Sequence, residues 1–203
     1  MLLFFLNTTF AQQNNEFKRV KSYFDYQRFM LSNEFEKKWK ELQNEEEKTQ
    51  LKQEFSNYVV KLDSIENTAS IVALITVKNR ETLSEISSRE TILPETRLEN
   101  PSKKLLESPA TYPGGFDQMR KQISDLFYTE CVLTNEKILK TSVVFVVEKD
   151  GHISSVKAEG ENLSFNRQAE IALYMLPDKF SPATLQGNPV RFRYLLPLSM
   201  TFD

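Results

Sequence analysis

The chain holds one histidine and one cysteine in 203 residues, and that pair bounds the chemistry open to it. Cys131 as nucleophile with His152 as base is the one pairing that could support covalent catalysis. The sequence argues against it, because Cys131 lies beyond a helical segment and His152 follows a turn glycine, where it reads as an exposed turn residue. One histidine and one cysteine do not make a zinc ligand set, so no metal and no other cofactor is expected. Gly114-Gly115 lacks the Lys and Ser/Thr that a phosphate loop requires; glycines there suit a tight turn into a helix. The acidic run Glu45-Glu46-Glu47 reads as a solvated helix face. A lone cysteine excludes an internal disulfide and reads as a buried side chain. No catalytic residue emerges, and the chain is expected to bind rather than to catalyse.

Composition allows a packed core. Apolar residues make up 40% and aromatic residues 11%, with fifteen Phe, too much for a disordered chain. The net charge of −2 with both signs interspersed is not the basic footprint of a nucleic-acid binder. Residues 1–11, an apolar run closed by Ala11, read as a cleaved signal peptide, which predicts export to the periplasm. No run approaches the about 20 apolar residues of a spanning helix.

Periodicity then divides the chain. Over residues 12–86 the apolar groups recur at helical spacing: Phe17, Val20 and Phe24, then Phe35, Trp39 and Leu42, then Leu51, Phe55, Val59 and Leu62. Asn33 with Glu36 resembles a capping box, which predicts a break near Leu31. Glu34 with Lys38 and Glu36 with Lys40 are i,i+4 ion pairs in the favourable order. Ile71 to Val77 suits a buried strand or a buried helix; helix is expected, because polar helix formers flank it. Residues 87–108, interrupted by Pro94 and Pro101, read as a linker. As flexible coil it spans on the order of 30 Å.

Residues 109–203 form a compact α+β unit. Phe116, Met119, Ile123, Leu126 and Phe127 share one helical face. Thr141 to Glu148 is apolar on both faces and so belongs at the centre of a sheet. Asp150-Gly151 signals a hairpin, and His152 to Ala158 returns as an edge strand. Ala169, Ala172, Leu173 and Leu176 form a second helix, ended by Pro177. In the last strand Val190, Phe192, Tyr194, Leu196, Leu198, Met200 and Phe202 alternate with polar residues. Pro197 places that strand at an edge. The simplest topology is a three-stranded antiparallel sheet, second-first-last, with both helices on one face and an N-terminal helical region before it.

An edge strand offers unpaired backbone groups to an extended peptide. Pro197 has no N–H and is least costly with its nitrogen outward. By parity Arg191, Arg193 and Leu195 also face outward, so an added strand is expected to pair along 191–195, which includes Phe192 and Tyr194, and to lose register near Pro197.

Several residues in order carry a resemblance to a known family. Tyr112-Pro113-Gly114-Gly115 leads in. Phe145-Val146-Val147 with Asp150-Gly151 forms the hairpin. Ala169, Pro177 and Phe180-Ser181-Pro182 follow, and Gly187-Asn188-Pro189-Val190 opens the last strand. Over 109–203 the chain resembles the C-terminal domain of the TonB family, in the form common in Bacteroidetes. Phe180 stands where that family often has Trp, and Thr129 to Lys140 lacks the family's usual Pro and Gly. The resemblance implies a periplasmic protein-binding module that captures an extended segment, such as the plug of an outer-membrane receptor, at the last strand, with Tyr112 and Pro113 nearby. A short linker, with neither anchor nor long Pro-rich spacer, implies no energy transduction by this chain alone. The alternative is a docking or homodimerisation unit serving the N-terminal helices.

Overall fold

The computed structural model describes residues 9–91 and 106–202. Most of the segment read as a signal, and residues 92–105 of the linker, lie outside the described residues. The first two helices, α1 (Thr9–Glu41) and α2 (Glu45–Thr91), form an antiparallel hairpin. Arg80 pairs with Glu16 at 3.0 Å, Arg28 bonds Asp63 and Glu66, and Phe35 packs on Phe55 with ring centroids 4.5 Å apart.

The break expected near Leu31 does not occur. Residues on both sides of Leu31 dock along the same face of α2, and that continuous docking outweighs a local capping preference. The chain turns instead at 42–44, where the Asn44 side chain accepts the Glu46 N–H at 2.9 Å as a helix cap does. Glu36 pairs with Lys40 at 3.9 Å, but Glu34 pairs with Lys37, at 2.9 Å, rather than with Lys38. Ile71 to Val77 is helical. α2 continues five residues into the stretch read as linker, since no proline interrupts it before Pro94.

The C-terminal unit runs through α3 (Gly115–Asp125), β1 (Ile138–Val147), β2 (Ile153–Glu159), α4 (Leu163–Tyr174), β3 (Ala183–Leu185), β4 (Asn188–Val190) and β5 (Phe192–Thr201). The sheet order is β2-β1-β5 and both pairings are antiparallel, as the strand signals require. Val143, Phe145 and Val147 of β1 share one core with Met119 and Ile123 of α3 and with Ala169 and Leu173 of α4, so both helices cover the same face. Gly151 closes the β1–β2 turn at φ 83°, where an added Cβ would lie 2.0 Å from the Phe180 carbonyl oxygen.

Asn188 to Val190, read as the opening of the last strand, instead pair with Ala183–Leu185 in a separate two-stranded sheet, and the last strand begins at Phe192. β3 and β4 form a hairpin whose turn residues Gln186 and Gly187 both have positive φ, 50° and 74°, the geometry of a primed two-residue turn. Ser108 bridges onto this hairpin at Thr184, and Thr111 bridges to Ser181 just before it, which ties the end of the stretch read as linker into the fold.

The N-terminal helices form a third layer, on the outer side of α4. Phe17, Leu74 and Val77 belong to the same core as the sheet, and Phe17 stacks on Tyr174 at 5.6 Å. α4 is therefore buried nearly all round, including its polar residues Asn166, Gln168 and Glu170. Gln168 donates to Asn67 of α2 at 2.7 Å.

Candidate functional site

A three-stranded sheet has two edges, and here they have opposite fates. β2 carries a bulge opposite Phe145, with Ser155 at φ 52°. Its N–H leaves the ladder and donates to Glu81 of α2 at 3.0 Å. The Val156 N–H donates to the Tyr174 hydroxyl at 3.2 Å, and that hydroxyl donates to Glu81 at 2.9 Å. The Ala158 N–H donates to Glu170 at 3.0 Å, while Lys78 of α2 holds the same carboxylate at 2.7 Å. Side chains of α2 and α4 thus satisfy the outward amides of β2. Burial pushes the Glu81 carboxyl above its ordinary pKa, against the pull of its Ser155 and Tyr174 hydrogen bonds. Burial and the neighbouring Glu81 charge push the Tyr174 phenol up as well.

Among the described residues β5 is the open edge. Just past β1, Glu148 donates to the His152 carbonyl at 2.7 Å and accepts from Gly151 at 2.9 Å, so its backbone faces β2. Alternation turns Val143, Phe145 and Val147 toward β5, opposite Leu196, Tyr194 and Phe192. At the far end Phe202 donates to the Lys137 carbonyl at 2.8 Å, which has the same parity. The backbone groups of Arg193, Leu195, Ser199 and Thr201 therefore face away from β1, and the Pro197 nitrogen does too. Among the described residues no backbone or side chain meets the Arg193 or Leu195 amide.

The residues expected to contact a partner separate into two groups. Arg193 is exposed and Leu195 is 64% exposed, both on the outer face of the sheet beside Val146 and Val144. Tyr194 is half-buried, stacked on Phe145 at 5.3 Å and 5.5 Å from the exposed Phe116. Pro113 is exposed at the α3 lead-in. Phe192 and Tyr112 are instead core residues, 5% and 6% exposed. Tyr112 packs against Phe180 and its hydroxyl donates to Gln122 at 2.6 Å. Arg191 is tied down: its guanidinium bonds the buried Glu148 carboxylate at 2.8 Å, which also accepts from Ser154. Its role is to neutralise that carboxylate, so Arg193 is the cation the edge presents.

His152 is buried rather than an exposed turn residue, because the 178–180 segment folds over the hairpin turn. Its Nδ1 lies 2.9 Å from Asp150. Burial works against the Asp150 carboxylate, yet the His152 hydrogen bonds hold it below its ordinary pKa. Cys131 is partly buried and its Sγ accepts from Asn67 at 2.9 Å. Burial, then the Glu130 charge, raises its pKa, which keeps the thiol protonated and unlike an activated nucleophile. Among the described residues no cluster of three metal-ligating side chains occurs, and no helix is long and apolar enough to cross a membrane. An apolar cleft of about 400 Å³ opens between α1, α3 and the end of α4, floored by Phe17, Leu126 and Leu176; no β5 residue lines it.

The sequence missed the closure of the β2 edge. No local pattern marks it, because the groups that close it lie on helices, Glu81 74 residues away from Ser155. Comparisons with known protein families, with curated proteins and with solved structures find no match.

Proposed function

We propose that this chain is a protein-binding module that captures an extended segment by strand addition at β5. The observation that carries this reading is the asymmetry of the edges. The outward amides of β2 are met by Glu81, Tyr174 and Glu170, whereas those of Arg193 and Leu195 are met by no described group. Sheets normally blunt or cover an exposed edge, so an edge left open beside a closed one is a docking surface. Residues 109–203 resemble the TonB C-terminal domain, which supports a periplasmic setting and an outer-membrane receptor plug as partner. Arg193 next to Leu195 favours a segment with an acidic residue beside an apolar one. A second reading, in which the unit chiefly docks the N-terminal helices, is favoured by the Glu81 and Lys78 contacts that join α2 to β2 and α4.

The test is an amide NMR titration of the full chain with plug-segment peptides carrying that pattern. Shifts centred on Arg193, Leu195 and Phe116 are expected. Saturating peptide with no shift at β5 sinks the strand-addition reading.

A further inference from the structure

α2 presents two apolar faces, and the fold uses only one of them. Asn67, Leu74, Val77 and Glu81 turn toward the C-terminal unit. On the opposite side Tyr58, Ile65, Val72, Asn79 and Ile86 recur every seven residues. Leu62, Ala69, Thr76 and Leu83 fall four residues after each of the first four. That alternating three-and-four spacing is the seam of a coiled coil. It is also exposed: Tyr58, Ile65 and Val72 are each 58% exposed and Leu83 is 65% exposed. Exposed apolar patches of this extent mark interaction surfaces.

We propose that the chain self-associates through this seam, α2 against α2 of a second copy. An isologous interface must be complementary to itself, and the seam carries no charge that would repel its copy. Its two polar members fit that occupant. The Thr76 hydroxyl is satisfied within the helix by the Val72 carbonyl at 2.9 Å. Asn79 faces its own copy when the two helices run parallel and in register. A fully overlapped antiparallel pairing, in which the two series of seam residues face each other, would set Asn79 against Leu62, leaving the amide desolvated and unpaired. One Asn in an otherwise apolar seam is the device that fixes register at some loss of affinity.

The surroundings leave room. The C-terminal unit lies on the far side of α2, and α1 lies on one flank, held by Arg28 to Glu66 and Arg80 to Glu16. Among the described residues Tyr58, Ile65, Val72, Thr76, Asn79, Leu83 and Ile86 stay exposed, while Leu62 and Ala69 are half-buried. From Tyr58 to Ile86 it runs about 42 Å at about 1.5 Å per residue, and a strip about 10 Å wide gives roughly 400 Å² of projected face per copy. Two such faces approach the about 1,000 Å² of a small specific interface, which points to association at micromolar concentration or weaker.

The inference is independent of strand addition at β5, and one experiment separates them. Sedimentation equilibrium of the full chain, from low micromolar to submillimolar concentration, should give a monomer–dimer equilibrium. Val72→Glu should weaken it at least tenfold with the helical circular dichroism unchanged, since Val72 touches solvent in the monomer. Asn79→Ile should tighten it at least tenfold, a gain that misfolding cannot mimic. A wild-type chain that stays monomeric overturns the proposal, as does an Asn79→Ile chain with unaltered association. A dimer that survives Val72→Glu but dissolves with Leu195→Pro would assign self-pairing to β5 instead. A monomer that binds phosphatidylglycerol vesicles through the seam, losing that binding with Val72→Glu, would assign it to a membrane surface.

Discussion

Two adjacent prolines test the backbone parity on which the open edge depends. Leu195 and Leu196 are neighbours in β5, yet their amides are expected to face opposite ways. Leu196 lies opposite Val143 with its side chain fully buried. Proline there removes the inward N–H and strands the Val143 carbonyl, which costs about 1–3 kcal/mol. Loss of the buried side chain adds about 2–5 kcal/mol by analogy with Leu→Ala changes in cores. The sum is comparable with the whole stability of a domain, about 5–15 kcal/mol, so Leu196→Pro should unfold or nearly unfold the chain. Leu195→Pro removes an amide that bonds no described group and a side chain already 64% exposed. Its cost should stay within about 1 kcal/mol, as for most surface substitutions, with Pro197 two residues away showing that the strand tolerates an outward proline. Urea unfolding followed by circular dichroism measures both. If Leu195→Pro is the destabilising one, the parity is inverted and β5 does not present these groups. If both fold and Leu195→Pro still binds a peptide with wild-type affinity, the edge is not the binding site.

Two further outcomes follow from the closed edge and from the arginines. Glu81 has its folded pKa raised by burial, so its contribution is fully present below the ordinary carboxylate range and is lost as pH rises through the raised value; the stability of wild type relative to Glu81→Gln should therefore fall as pH rises from that range toward neutrality, and a flat difference in paired urea titrations would refute the burial of this group. Arg191→Ala should cost about 1.5–3 kcal/mol by removing a charge-assisted hydrogen bond to buried Glu148, whereas Arg193→Glu should change stability by under about 0.5 kcal/mol and weaken peptide binding; equal effects on stability would refute the separation of their roles.

The sheet was legible because its signals are local. The alternation of β5, the two-faced apolar run of β1 and Asp150-Gly151 each act over a few residues, and together they determine the order β2-β1-β5. Packing between distant segments was not legible. Tyr112 was expected beside the open edge, and only its packing against Phe180 shows it to be core. His152 follows a turn glycine, and only the return of the chain at 178–180 buries it. The helix break near Leu31 failed for the same reason: Asn33 and Glu36 are a sound local cap, but Arg28 and Phe35 both reach partners on α2. The role of Glu81 is the extreme case, since its bond to Ser155 spans 74 residues and no motif announces it.

The closing of β2 also bears on how strongly β5 can hold a partner. Had both edges been open, copies of the sheet could pair edge to edge without limit, the hazard that natural sheets avoid. With β2 occupied by Glu81, Tyr174 and Glu170, one edge of the three-stranded sheet remains open among the described residues, so edge-to-edge pairing of copies would stop at two. That edge is itself cut short. Arg191 lies before β5 begins, and Pro197 offers a carbonyl but no N–H, so the outward donors divide into Arg193 with Leu195 before it and Ser199 with Thr201 after it. Two residues of ladder contribute little on their own, because each hydrogen bond nets only about 0.5–1.5 kcal/mol. On the proposed strand addition, discrimination would come from the side chains that flank the ladder. These are Arg193 and Leu195 on the outer face, and Tyr194 with Phe116 on the other. A partner lacking an acidic residue or an apolar neighbour in register with them has almost nothing to gain from the backbone alone.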